Sequence, residues 1–128
     1  MIKKVNHIGI AVKDVDQAVK FFQEKLGGEL VTRVELPFMQ QISAIVKIGD
    51  AQFELMQGTA PDSVVSKFID KKGEGIHHLS LCVDDIDSAC DDFEKKGMQI
   101  ISRLPAMKMA FMHPKSLYGV LVELAQVE

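Results

Sequence analysis

Residues 7–22, His7-Ile-Gly-Ile-Ala-Val-Lys-Asp-Val-Asp-Gln-Ala-Val-Lys-Phe-Phe22, return 71 positions later as His78-Leu-Ser-Leu-Cys-Val-Asp-Asp-Ile-Asp-Ser-Ala-Cys-Asp-Asp-Phe93. His, Val, two Asp, Ala and Phe coincide, and several other pairs exchange one apolar residue for another. A solenoid needs more than two copies to bury a continuous core, so two copies imply a duplicated module instead. At 128 residues both copies fit within one ordinary domain.

Each copy opens with strand alternation. Ile8, Ile10 and Val12 point one way, and His7, Gly9 and Ala11 the other. Asp14 before Gln17, and Asp85 before Ser88, have the form of helix N-caps. Val15, Ala18, Val19 and Phe22, and likewise Ile86, Ala89, Cys90 and Phe93, follow at helical spacing. Gly27-Gly28 and Gly97 stop these helices. Strand-like runs lie at about 29–36, 42–48 and 51–57, with Gly49-Asp50 as the turn between the last two, so the module reads βαβββ. A connecting helix begins at Asp62 and ends at Gly73 and Gly75, and second-module strands are expected near 98–103, 107–112 and 119–125. The chain thus divides into a module at about 1–58, a linker helix at about 61–72 and a module at about 75–128, all within a single α+β domain.

Composition narrows the partners. A formal charge of -3, with no basic stretch interleaved with aromatics, gives nucleic acid no electrostatic footprint. No apolar run is long enough to span a bilayer and no signal-peptide core opens the chain, so no membrane association and a cytoplasmic location are expected. Two cysteines, Cys82 and Cys90, are too few for a disulfide framework and read as buried thiols. No nucleophilic serine motif is present, and Gly73-Glu-Gly75 is a helix stop, too short for a phosphate loop.

The duplication singles out the candidate chemistry. A lone histidine at a strand end is usually just hydrogen-bonded there, but His7 and His78 occupy one duplicated position. An acid between apolar neighbours recurs near the end of each module, as Glu54 in Phe53-Glu54-Leu55-Met56 and Glu123 in Val122-Glu123-Leu124-Ala125. Two imidazoles and two carboxylates from four strands suit a divalent first-row metal with positions left for water or substrate. A strict 71-residue shift pairs Glu123 with Gln52, whereas the local Glu-Leu match and the commoner carboxylate ligand favour Glu54. His77 has the opposite strand parity to His78 and His113 lies in a turn, so neither is expected to be a ligand.

Three stretches carry a resemblance: His-Ile-Gly-Ile-Ala-Val near the N-terminus, Gly75-Ile-His-His-Leu-Ser, and Gly119-Val-Leu-Val-Glu-Leu. Together they resemble the vicinal oxygen chelate (glyoxalase/bleomycin resistance/dioxygenase) superfamily. Asp62-Ser63, Lys67-Phe68, Lys71-Lys72-Gly-Glu-Gly-Ile-His-His-Leu79 and Phe111-Met-His-Pro-Lys-Ser116 look most like the methylmalonyl-CoA epimerase family. The resemblance implies paired βαβββ modules in an eight-stranded, cup-shaped mixed sheet around one divalent ion per chain, Co, Ni, Mn or Zn. Its ligands carry over to His7, His78 and Glu123, with Glu54 where the epimerases commonly have Gln. The resulting His, Glu, His, Glu set is similar to that of bacterial glyoxalase I, lactoylglutathione lyase. It also implies a homodimer.

Both activities draw a proton from carbon beside a chelated carbonyl, so the implied substrate is a small thioester or a glutathione adduct. Glu123, then Glu54, are the candidate catalytic acid–base groups. The rivals are an uncharacterised relative, a ligand-binding module without turnover, and an iron dioxygenase using His7, His78 and Glu123 alone, which a fourth ligand argues against.

Overall fold

The computed structural model describes residues 1–127, and the modules are built as the repeat requires. The first consists of β1 (Ile2–Ala11), α1 (Val15–Leu26), β2 (Glu29–Leu36), β3 (Gln41–Ile48) and β4 (Ala51–Gly58). A connecting helix α2 (Val64–Lys72) leads to the second, with β5 (Gly75–Val83), α3 (Ile86–Lys95), β6 (Ile100–Leu104), β7 (Met109–Met112) and β8 (Val122–Gln126).

Strand order is β2-β3-β4-β1-β5-β8-β7-β6, an eight-stranded sheet whose end strands β2 and β6 leave it unclosed. It is mixed: β1 runs parallel to β4 and β5 parallel to β8, while the two hairpins of each module are antiparallel. Two compact units emerge, His7–His77 and Met1–Asn6 with the chain from His78 onward, so the strand β1 contributes to both.

In the His7–His77 unit, Asp14 accepts a hydrogen bond from Gln17 N at 3.0 Å and starts α1. Gly27 at φ 68° ends it, and Gly28 N donates to Phe22 O at 2.8 Å, six residues back, which satisfies an orphan carbonyl of the last turn. The stripe Val15, Val19 and Phe22 packs on Val12, Ala44, Val46 and Leu55. Fully burying Val15, Val46 or Leu55 contributes roughly 1.5–3 kcal/mol each. On the opposite sheet face, Val65, Phe68 and Ile69 of α2 cover Ala11 and Met56. By strand parity this is the face of His7 and Glu54.

The other unit repeats the first arrangement. Asp85 accepts from Ser88 N at 2.9 Å, and Ile86, Ala89, Cys90 and Phe93 pack on Val83, Ala110, Met112, Val122 and Leu124. A further pair of contacts is duplicated. Gln57 Oε1 accepts from Val15 N at 2.8 Å, and Gln126 Oε1 accepts from Ile86 N at 3.0 Å, so β4 and β8 each pin the first turn of a helix.

Three expectations shift, each for a local reason. The cap of α2 is Ser63, whose hydroxyl accepts from Ser66 N at 3.0 Å, so the helix starts after it instead of at Asp62. The strand expected from 107 begins at Met109, because Pro105–Met107 forms a 3-10 turn closed by Lys108 at φ 54°. The same turn recurs at Pro37–Met39 with Gln40 at φ 52°. The strand expected from 119 begins at Val122, because a 3-10 turn at Pro114–Ser116 is followed by Tyr118 and Gly119 at φ 50° and 86°. Among the described residues no helix is long and apolar enough to cross a membrane.

Candidate functional site

In each unit a histidine meets a carboxylate by the same construction. Two residues after His7, Gly9 pairs in parallel with Glu54; two residues after His78, Ser80 pairs in parallel with Glu123. Because side chains two apart share a face, each acid points to the side of its histidine. His7 Nε2 lies 3.2 Å from Glu54 Oε1, and His78 Nε2 lies 3.8 Å from Glu123 Oε2.

This register aligns Glu54 with Glu123. His7 and His78 are related by an offset of 71, but Glu54 and Glu123, like Gln57 and Gln126, are related by 69. The difference arises in the loops. The β2–β3 hairpin pairs out to Leu36 and Gln41, beyond its Arg33–Ala44 rung, while the β6–β7 hairpin ends one rung after Arg103–Ala110. The second module recovers length in the stretch 113–121 before β8. Gln52 pairs with Lys47, one turn of the pleat away from Glu54 on the same face. The repeated Glu-Leu-x-Gln, Glu54 to Gln57 and Glu123 to Gln126, is the sequence signal for this register.

The face of β5 carrying His78 is enclosed. His78 is 4% exposed, and Ser80 and Cys82 beside it on β5 are fully buried. Such a position is tolerable only for paired polar groups, and among the described residues no buried side-chain nitrogen or oxygen lacks a hydrogen-bond partner. Part of the pairing is Ser80, whose hydroxyl donates to Glu123 Oε1 at 2.8 Å. The repeat alone did not single out Ser80; the clue is its alignment with Gly9, a hydroxyl in one copy where the other has none.

The remaining histidines are engaged elsewhere. His77 sets its ring edge-on to Phe68 at 5.0 Å between centroids. Burial pushes its pKa down, opposed by Glu54 and reinforced by Lys72. His113 accepts from Lys115 N through Nδ1 at 3.0 Å and caps the 3-10 turn. Cys82 and Cys90 are buried free thiols, and burial raises the Cys90 pKa. Cys90 therefore lacks the lowered pKa of a nucleophile.

The profile of the Glyoxalase/Bleomycin resistance protein/Dioxygenase superfamily matches residues 4–124. The chain belongs to that superfamily. Within it, the chain is 34% identical to human mitochondrial methylmalonyl-CoA epimerase, over 96% of its own length and 73% of the relative's. It is 31% identical to the ethylmalonyl-CoA/methylmalonyl-CoA epimerase of Cereibacter sphaeroides, covering 99% of this chain and 100% of that one. Among solved structures, a variant of Streptomyces coelicolor methylmalonyl-CoA epimerase in complex with 2-nitronate-propionyl-CoA superposes with a TM-score of 0.88, at 31% identity and full coverage of both chains. The superfamily's epimerases thus share both the sequence pattern and the fold of this chain.

Proposed function

We propose that this chain is a divalent-metal-dependent epimerase that moves the proton on the carbon next to the thioester carbonyl of a short acyl-CoA, with methylmalonyl-CoA as the substrate. The observation that carries the reading is the histidine–glutamate pair built twice in the same strand register, in a chain whose relatives include methylmalonyl-CoA epimerases. In this reading His7, Glu54, His78 and Glu123 would be the ligands, each with an imidazole nitrogen or a carboxylate oxygen to offer. Two imidazoles with carboxylates suit Co, Ni, Mn or Zn, one ion per chain. A bound ion of this kind would stabilise the negative charge of an enolate, bringing the neighbouring C–H proton within reach of a side-chain base.

The protein's own part is proton transfer. Inversion at one carbon needs a base that takes the proton and a conjugate acid that returns it on the other side, and Glu123 and Glu54 are the two acids assigned to this exchange. The single-domain organisation, a homodimer and a cytoplasmic location complete the proposal. Nucleic acid and membranes have no part in it.

The fourth ligand, the Glu54 carboxylate, supports one second reading. Where Glu54 stands, a His, Glu, His, Glu set resembles bacterial glyoxalase I, so lactoylglutathione lyase is the alternative. A paired assay separates the two: exchange of the C2 proton of methylmalonyl-CoA in heavy water, followed by NMR, beside isomerisation of the methylglyoxal–glutathione adduct. Exchange of the first substrate is the expected result. Turnover of the adduct alone would assign the lyase, and inactivity on both with metal bound would overturn the epimerase.

A further inference from the structure

The two histidine–glutamate pairs differ in one hydroxyl. Glu123 Oε1 is held by the fully buried Ser80 hydroxyl at 2.8 Å, and it is the other oxygen, Oε2, that lies 3.8 Å from His78 Nε2. At the matching place beside Glu54 the residue is Gly9, which has no side chain. We infer that Ser80 is a positioning residue that fixes the Glu123 carboxylate by one oxygen and presents Oε2 to the metal. Gly9, opposite Glu54, offers no hydroxyl, so the two copies differ at this position. This inference rests on the metal-dependent reading above.

Two effects of the hydrogen bond oppose each other. By drawing charge from the carboxylate it makes Glu123 a poorer donor, so its loss would tighten metal binding. By holding the side chain in one rotamer it spares the ordering that ligation otherwise costs, so its loss would loosen binding. A buried hydroxyl at 2.8 Å with no solvent to replace it favours the second effect.

The test is Co(II) binding to the purified full chain, by competition with a chromophoric chelator and by the visible absorption of the bound ion. Ser80→Ala removes one oxygen and should weaken Co(II) binding 10–100-fold, as losing an outer-shell partner typically does, and alter the absorption band. Ser63→Ala deletes another buried hydroxyl, which caps α2 by accepting from Ser66 N at 3.0 Å, and should leave both readouts within about twofold of the parent. Equal or tighter binding by Ser80→Ala, or equal weakening by both variants, would overturn the role of Ser80 while leaving the metal site standing. A parent protein that binds no divalent ion would overturn the metal reading itself, and Ser80 with it.

Discussion

Replacing Glu54 by Gln tests the division of labour between the two acids. The change keeps the side chain's length and a carbonyl oxygen near His7 Nε2, 3.2 Å from the present carboxylate, but removes the ability to accept a proton. Since His7, His78 and Glu123 remain as donors, metal occupancy should stay close to one ion per chain. Turnover should nevertheless fall 10²–10⁴-fold, the usual cost of removing a general base. At 1.36 kcal/mol per decade this is about 3–5 kcal/mol of barrier. Glu123→Gln should lose turnover as well: Glu123 is 8% exposed and accepts from Ser80, and an amide can donate its NH2 to the Ser80 oxygen while its carbonyl oxygen stays available to the metal, so occupancy should be largely kept. The assay is C2 proton exchange of methylmalonyl-CoA in heavy water, with metal content measured on the same samples. A Glu54→Gln protein that holds metal and exchanges at the parental rate would refute the base assignment and leave Glu54 as a ligand only.

Other expectations follow from the duplicated contacts. Gln57→Ala and Gln126→Ala each remove one hydrogen bond to a helix N-terminus and should each cost about 1 kcal/mol in urea unfolding, with similar values for the two. The Asp85 carboxyl is held below its usual range by hydrogen bonds from Ser88, so its folded pKa lies under the unfolded one. Its contribution is therefore present above the unfolded pKa and disappears as pH falls through the folded pKa. Asp85→Ala should lower the urea midpoint at pH 7, and the gap from the parent should close under strongly acidic conditions. Cys82 and Cys90 are both buried, so neither should react with a thiol reagent in the native protein at neutral pH, and both should react in urea.

The local construction of each module was legible because it rests on short-range physics. Asp14 and Asp85 each satisfy an amide three residues away, the apolar spacing from Val15 to Phe22 follows the helical period, and β1 alternates between its two faces. The pairing of histidine with glutamate was half legible. A strict shift of 71 selected Gln52, and the register that selects Glu54 depends on two loops that lose and regain residues between the copies. Loop lengths change freely at little cost in closure entropy, so an offset measured on β1 does not carry through to β4. The repeated Glu-Leu-x-Gln was visible, but only the structure gives Gln57 and Gln126 a reason to recur, as anchors of α1 and α3.

Burial was beyond the reach of strand alternation. Parity separates the side of His7 and His78 from the apolar side, yet whether the histidine side is wet or enclosed depends on what packs over it. His78 and Ser80 turn out to be buried, and α2 covers Ala11 and Met56 on the His7 side. That enclosure is what makes the Ser80 hydroxyl consequential. In water its hydrogen bond to Glu123 would exchange with solvent at almost no net cost, whereas inside the protein it has no substitute.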